Sequence, residues 1–398
     1  MDSGESKKVD IFIDIITILF LMLWSGGGFT YGLWPFWVLI GFPISLLIYK
    51  KRKCCLNNKL FRTVILLTFI VLLQTIFFNG DFNTTSKYLL VLFCVMIMSC
   101  YLYKGKRFVD LYIKIVCLLS VISLLFWCID FIPQGHSFLL DIGEMLPQLG
   151  WENMRATREG STANMSYSLY LYTVYFIDNM SIPQNTGPFW EHGIFCIYLV
   201  IAFYLNAIRE NKIFTKYNII FITTIITTFS SSGYVVLIIA MAFIIIQRGG
   251  LTFRKIILLS LLLVGTYYIS SLDFMTAKIT ENAMSTQESS RFFAMVYHWQ
   301  QIVKSPFIGY GPYLNRVFSN LVMSPNGWTQ LLRIWGIPFS AYLLIAFYRG
   351  IGNFFKDNRN SFLIRLGFFV IVMTAVFPQT LSVSDFYFFL YFYSLQNN

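Results

Sequence analysis

Long apolar runs separated by short polar or basic stretches dominate the 398-residue chain. The runs are continuous and do not alternate, which is typical of membrane-spanning helices and not of barrel strands. Most approach the roughly 20 residues that a helix needs to cross the hydrocarbon core. The pattern predicts about twelve helices, over Val9–Trp24, Tyr31–Tyr49, Phe61–Phe78, Tyr88–Tyr103, Phe108–Ile132, Trp190–Ile208, Tyr217–Phe229, Gly233–Gln247, Ile256–Ser271, Trp328–Tyr348, Phe362–Phe377 and Phe386–Leu395.

The composition agrees with this pattern. Hydrophobic residues make up 57% of the chain and charged residues 12%, against about 45–50% and about 25% in soluble domains. We therefore predict an all-α polytopic membrane protein, with residues 1–398 forming a single integral-membrane domain. No small-residue cleavage pattern follows the first apolar run, so we interpret that run as a membrane anchor and not as a cleaved signal.

Basic residues indicate an orientation. The net charge is +11, but the lysines and arginines fall in short clusters between apolar runs, which favours membrane topology over nucleic-acid binding. Most of them lie on one side if the N-terminus is cytoplasmic. We predict a multi-pass protein of the cytoplasmic membrane with both termini inside, and two long extracytoplasmic loops, Pro133–Phe189 (133–189) and Leu272–Gly327 (272–327).

The first loop is rich in aromatic residues. Tyr167 to Tyr175 has the two-residue alternation of a half-buried strand or an interfacial element. Such aromatic rings could stack on sugars, or could form a belt at the headgroup level. The seven cysteines lie in or beside apolar runs without the spacing of a disulfide framework or a metal site. We predict no metal and no cofactor.

The second loop and the helix after it hold two candidate arginines. Arg291 follows two serines and precedes an apolar, aromatic helix that contains Trp299. Its planar guanidinium suits a phosphate or diphosphate, although an arginine there could also snorkel to the interface. Arg333 lies about five residues into a predicted span, where ionisable groups are costly and face a cavity or a partner.

Glu191 and His192 stand where the sixth predicted helix opens. A carboxylate at this helix start lies near the positive end of the helix dipole. Glu191 could cap the helix, pair with an arginine of the outer loops, or serve as a general base on a hydroxyl group; His192 is a further candidate for that last role. The run Ser230–Gly233 between two spans predicts close helix approach and a polar lining.

Taken in order, these motifs resemble the superfamily of O-antigen polymerases (Wzy) and O-antigen ligases, which are bacterial integral-membrane glycosyltransferases. The matching pieces are Gly187–Gly193, Ser230–Gly233, Ser289–Arg291 with Trp299, Pro306–Gly311, and Asn326 leading into Trp335–Ile337. The topology resembles the family over the whole chain, whereas the motifs match only between Gly187 and Ile337.

The resemblance implies a polymerase of the bacterial inner membrane. Its donor and acceptor would be oligosaccharide repeat units on undecaprenyl diphosphate, joined at the outer face without a metal into O-antigen or capsular polysaccharide. Arg291, then Arg333 and lastly Arg158 would stabilise the diphosphate, Glu191 would orient or deprotonate the acceptor, and Asn326 and Trp299 would contact substrate. A chain-length regulator and a flippase would be partners.

The chain departs from the family pattern at two places. Gln184–Thr186 stand where members often carry an arginine, so either Arg155 or Arg158 would have to fill that role or the role is absent. Pro325 and Gly327 flank Asn326, where the ligase branch typically has a histidine. This difference favours a polymerase over a ligase. A transporter or flippase of lipid-linked oligosaccharide and a purely structural membrane partner are the alternatives from other classes.

Overall fold

The computed structural model describes residues 3–30, 37–52, 57–148, 166–175, 182–247, 257, 260, 291–318, 326–355, 361–377 and 384–396. Within these ranges the chain is almost entirely helical. The α-helices are α1 (Ser3–Trp24), α2 (Phe42–Arg52), α3 (Asn58–Phe77), α4 (Phe82–Gly105), α5 (Phe108–Asp130), α6 (Pro133–Met145), α7 (His192–Glu210), α8 (Lys216–Thr227), α9 (Ser231–Gln247), α10 (Arg291–Lys304), α11 (Leu314–Val317), α12 (Gly327–Trp335), α13 (Ile337–Gly350), α14 (Phe362–Val376) and α15 (Asp385–Ser394). A π-helical turn covers Trp37–Gly41, and 3₁₀ turns cover Gly28–Thr30, Gly311–Tyr313 and Ile351–Phe354.

Four of the described helices, α3, α4, α5 and α7, are long and apolar enough to cross a membrane, and the number rises to five if the bent pair α12 and α13 is one span. In lipid a helix satisfies its own backbone hydrogen bonds, which explains why apolar runs of this length are helical. Side chains complete several helix starts. Asn57 accepts from the Lys59 amide, Thr215 from Asn218 and Ser361 from Ile364. The helical, membrane-type architecture predicted from sequence is therefore confirmed in outline.

The chain divides into two compact units. The first comprises Met1–Ile48 and Gly105–Leu237. At its centre α7 is buried along nearly its whole length, and α5 and α8 pack against it. Gly233, in the predicted serine-rich turn, lies so close to the Cys196 side chain that an added Cβ would overlap it. The close helix approach predicted there is confirmed.

The second unit comprises Tyr49–Lys104 and Ile238–Asn398. It contains α3, α4 and the C-terminal helices from α10 to α15. The aromatic helix α15 is buried along its length and packs against α13. Trp335, at the end of α12, is also fully buried.

Three predicted elements differ from the structure. Residues 133–145 of the first predicted loop form helix α6, which Pro133 starts at its first turn. Tyr167 to Tyr175 is not one alternating strand; β1 (Ser166–Ser168) and β2 (Thr173–Tyr175) pair antiparallel, and Tyr167, Ser168, Thr173 and Val174 are all buried. The helix predicted over Trp328–Tyr348 is broken at Gly336, where α12 and α13 meet at a bend of 120°. Most of the helix predicted over Ile256–Ser271 lies outside the described residues.

Candidate functional site

A contact between two turns of the backbone forms the base of the candidate site in the second unit. Gly309 (φ 68°) and Gly336 (φ 72°) have left-handed backbones, and a Cβ on either would overlap backbone atoms of the opposite turn. The Ile337 amide donates to the Pro306 carbonyl at 2.7 Å, and the Tyr310 amide to the Arg333 carbonyl at 2.7 Å. Only glycine permits both the conformation and the approach. We call this contact the glycine junction.

Gln74, on the candidate span α3, holds the glycine junction together. Its Nε2 donates to the carbonyls of Ile308 at 2.7 Å and Ile334 at 2.8 Å. The side chain is fully buried. Because α12 ends at this point, its last carbonyls lack partners in the helix, and Gln74 supplies one. The break between α12 and α13 is therefore a fixed feature of the second unit.

One face of α12 carries three polar side chains. Asn326 caps the helix and accepts from the Thr329 amide at 3.2 Å. Thr329 lies on the first turn and Arg333 four residues later, so all three lie on one side of the helix. They are 1%, 5% and 2% exposed, respectively. A helix that buries its polar face must provide those groups with partners or with a ligand.

His298 reaches this face from α10. Its Nδ1 lies 2.6 Å from the Thr329 hydroxyl, and that hydroxyl donates to the Asn326 carbonyl at 3.3 Å. Since the hydroxyl has one proton to give, it accepts from Nδ1–H, which leaves Nε2 as the unprotonated nitrogen. Burial, and secondarily the charge of Arg333, lower the pKa of His298 from 6.5 to about 3. The imidazole is thus neutral and has a fixed tautomer.

Several buried polar atoms on these two helices lack hydrogen-bond partners within the described residues. They are Arg333 Nε, Asn326 Nδ2, Trp335 Nε1 and both amide atoms of Gln301. Gln301 lies one turn beyond His298 on α10 and is also buried, and the Tyr310 hydroxyl donates to its backbone carbonyl at 2.9 Å. We call Arg333, Asn326, Thr329, His298, Gln301 and Tyr310 the Arg333 cluster.

The charge of Arg333 has no counter-ion in this part of the chain. The groups of the described residues that act on it electrostatically include the Tyr297 and Tyr310 side chains, and no carboxylate. Buried carboxylates elsewhere are paired: Asp14 with Arg107 at 2.9 Å, and Asp130 with the Tyr172 hydroxyl at 2.8 Å and with His136 at 2.6 Å. A buried, unpaired cation is costly. Together with two amide groups that have unused donors, Arg333 has the chemistry of an anion site.

The other residues predicted in this region are placed as follows. Trp299 is 53% exposed, whereas its neighbour His298 and Gln301 are buried, so the structure does not bring the indole into the Arg333 cluster. Arg291 is the first residue of α10, seven positions before His298; the structure describes its backbone only. Arg158 and Arg155 lie outside the described residues.

Glu191 and His192 belong to the first unit. Glu191 is the N-cap residue of α7, but its side chain makes no capping hydrogen bond, so the capping role considered from sequence is wrong. The segment before it is held in place by Asn185, whose Nδ2 donates to Thr227 Oγ1 at 3.0 Å and whose Oδ1 accepts from the Gly187 amide at 3.1 Å. Both Glu191 and His192 are half-buried. Their chemical roles stay predictions.

Sequence reasoning did not select His298, Gln301, Thr329 or Tyr310. A signal was present, because His298 and Gln301 are three residues apart in a helix whose other side carries Val296, Trp299 and Val303, all more than one-third exposed. In a membrane protein an inward polar face opposite an outward apolar face indicates a polar interior site. The sequence alone predicts only an apolar, aromatic helix that follows Arg291.

No group of three or more histidine, cysteine or acidic residues within the described ranges could hold a metal ion. Comparison of the chain with protein-family models, with curated proteins and with solved structures finds no match.

Proposed function

We propose that this chain is a membrane glycosyltransferase that joins oligosaccharide repeat units carried on undecaprenyl diphosphate. The observation that supports it most is the buried cation Arg333, with no carboxylate among the groups of the described residues that act on it and with unpaired amide groups on α10 and α12. An anion would compensate the cost of burying this charge. The family resemblance of the motifs identifies that anion as the diphosphate of a lipid-linked saccharide.

The proposed step is a substitution at the anomeric carbon of the donor. The acceptor hydroxyl oxygen forms the new bond to that carbon, and the bond from the carbon to the diphosphate oxygen breaks. The lipid diphosphate leaves with the electron pair and with one added negative charge. Arg333 and the Asn326 amide would stabilise that charge, an electrostatic contribution that is commonly the largest in such reactions. Arg291, at the start of α10, would add a second cation.

The proton of the acceptor hydroxyl must also leave. Glu191 is the acceptor-activating group predicted from sequence, and His298 is a second candidate because its Nε2 carries no proton. A bound diphosphate would offset the field of Arg333, which is one of the two causes that lower the pKa of His298. Its basicity would therefore rise when the donor is bound.

One observation favours a second function. The bend of 120° between α12 and α13 resembles the discontinuous helices at the binding sites of transporters. A flippase that moves the same lipid-linked oligosaccharide would also need a buried site for a diphosphate. The ligase alternative shares the chemistry of the polymerase and differs in its acceptor.

A strain that lacks the gene discriminates these functions. It would be complemented with wild type, with Arg333→Met, or with Arg349→Ala, which removes an exposed arginine of the same unit. Surface polysaccharide would be resolved by length on a gel. A polymerase predicts single repeat units and no ladder in the null and Arg333→Met strains, and a normal ladder with Arg349→Ala.

Other outcomes contradict the polymerase. Long polymer that accumulates on the carrier lipid of the null strain would identify a ligase. Unpolymerised lipid-linked units trapped on the cytoplasmic face would identify a flippase. A full ladder in the Arg333→Met strain would show that Arg333 is not required for the reaction.

A further inference from the structure

Gln301 is buried in the second unit with both ends of its amide unused. It is 2% exposed, and neither Nε2 nor Oε1 has a hydrogen-bond partner among the described residues. Its backbone carbonyl, in contrast, is fixed by the Tyr310 hydroxyl. A buried amide in this state costs free energy that an apolar side chain would not. The position therefore indicates a ligand group that supplies one acceptor and one donor together.

The buried polar side chain nearest to Gln301 along α10 is uncharged. His298, one turn earlier on the same buried face, is neutral, and its Nδ1 is used by Thr329. The charge of Arg333 acts on His298 and on Tyr310, so the cation is a near neighbour of this face. A ligand held here would place an anionic group at Arg333 and an uncharged polar group at Gln301.

An acetamido group has the complementary chemistry. Its carbonyl accepts one hydrogen bond and its N–H donates one, so it can pair with a primary amide through two parallel hydrogen bonds. A hydroxyl group at the same carbon can satisfy only part of that pair. On a sugar diphosphate the C2 substituent is the nearest one to the anomeric oxygen, and it therefore lies close to the diphosphate.

We infer that Gln301 is a specificity-determining residue that pairs with the 2-acetamido group of the sugar attached to the lipid diphosphate. The inference rests on the proposed function, because it takes the diphosphate to lie at Arg333. It goes further by naming the sugar class: a 2-acetamido-2-deoxy sugar at the reducing end of the donor repeat unit.

The test uses the purified full-length chain and two synthetic ligands, short polyprenyl diphosphate esters of N-acetylglucosamine and of glucose. They share the chain and the diphosphate and differ only at C2. Dissociation constants would be measured by calorimetric titration. For wild type we expect the acetamido ligand to bind on the order of 10- to 100-fold more tightly, because the single hydroxyl of glucose leaves one buried end of the Gln301 amide without a partner.

The variants are Gln301→Leu and Gln301→Met, and the matched control is Gln300→Leu, because Gln300 is the adjacent, exposed glutamine of α10. The two Gln301 variants should bind both ligands with nearly equal affinity, whereas Gln300→Leu keeps the preference. Thermal unfolding of the ligand-free protein supplies a second readout. Removing an unpartnered amide should leave the stability unchanged or raise it, while a structural glutamine would lower it.

Each other result overturns the inference. Wild type could bind the two ligands equally, or the preference for the acetamido ligand could survive in both Gln301 variants. Either result would show that Gln301 does not pair with the acetamido group, and neither would contradict the proposed function. Variants that unfold at much lower temperature would show that Gln301 is a structural residue. If wild type binds neither ligand, the diphosphate site itself is wrong, and the proposed function fails with it.

Discussion

At the scale of single residues, Arg333 and His298 show how one charge affects its neighbours. Arg333 is buried without a carboxylate acting on it in the described residues, and its field together with burial keeps His298 neutral. The neutral imidazole can then share a hydrogen bond with Thr329 without a second buried positive charge. The Arg333 cluster thus keeps one buried cation and avoids a second one.

The neutrality of His298 has a consequence for stability at low pH. Its pKa is about 3 in the folded protein and 6.5 in the unfolded reference, so between these values the unfolded chain binds a proton that the folded chain does not. The contribution of this residue is fully present above about pH 6.5 and is lost as the pH falls toward 3. We expect His298→Asn to flatten the fall in the unfolding midpoint between pH 6.5 and 4.

That prediction is checked by thermal unfolding of the detergent-purified protein over this pH range. Gln300→Asn, an exposed substitution on the same helix, should keep the wild-type dependence. An unchanged slope in His298→Asn would show that His298 is charged in the folded protein at these pH values, which contradicts the neutral form inferred above.

The sequence alone points to Arg333, because an ionisable group within an apolar run is costly, and to Asn326, because the motif that leads into Trp335–Ile337 begins there. It could not find His298, Gln301 or Tyr310, since their importance comes from contacts between α10, α12 and the turn at Gly309. The contacts of His298 with Thr329 and of Tyr310 with Arg333 join residues more than 20 positions apart in the chain.

At the scale of elements, the break between α12 and α13 is the feature that the sequence pattern missed. The stretch from Trp328 to Tyr348 is apolar overall and has the length of one span, although Thr329, Gln330 and Arg333 lie near its start. Pro338 favours a new helix start, since a proline is tolerated in the first turn. Gly336 takes a conformation that other residues rarely adopt. A hydropathy pattern does not contain this information, because it measures apolarity and not backbone geometry.

Gln74 should stabilise this break measurably. Replacing it by leucine would leave the Ile308 and Ile334 carbonyls without their donor, at a cost of about 1–3 kcal/mol for each buried group. We expect Gln74→Leu to lower the free energy of unfolding of the purified protein and to reduce polysaccharide synthesis in cells. Unfolding of the purified protein in increasing concentrations of a denaturing detergent would measure the change in the free energy of unfolding.

The control for Gln74 lies on the same helix. Ile76 is 72% exposed, so Ile76→Ala should change the stability much less. Equal stability of Gln74→Leu and wild type would mean that the glycine junction does not depend on the glutamine.

At the scale of the whole molecule, composition and hydropathy predicted a helical membrane protein, and the four apolar helices confirm that class. The count of about twelve spans, the two extracytoplasmic loops and the orientation stay predictions. Helix α6, which is short and includes Gln134, His136 and Asp141, shows why a loop was predicted there. A search for long apolar runs does not detect a short amphipathic helix.

The predicted orientation is testable by cysteine labelling in a background whose seven natural cysteines are serine. With the N-terminus inside, Asn79→Cys, between α3 and α4, and Met145→Cys, at the end of α6, should react with a membrane-impermeant maleimide in intact cells. Lys106→Cys and Lys212→Cys should react only after the membrane is opened. Labelling of Lys106→Cys and Lys212→Cys in intact cells would contradict the predicted orientation.

The most direct measurement for the account is the affinity of the purified protein for undecaprenyl diphosphate, compared with undecaprenyl monophosphate, in wild type, Arg333→Met and Arg349→Ala. If the Arg333 cluster is the diphosphate site, wild type binds the diphosphate more tightly than the monophosphate. Loss of a buried charge-assisted contact then weakens diphosphate binding in Arg333→Met on the order of 100-fold, while Arg349→Ala stays close to wild type. The same affinity in Arg333→Met and wild type would contradict the account, because the buried cation would then have no part in holding the anion.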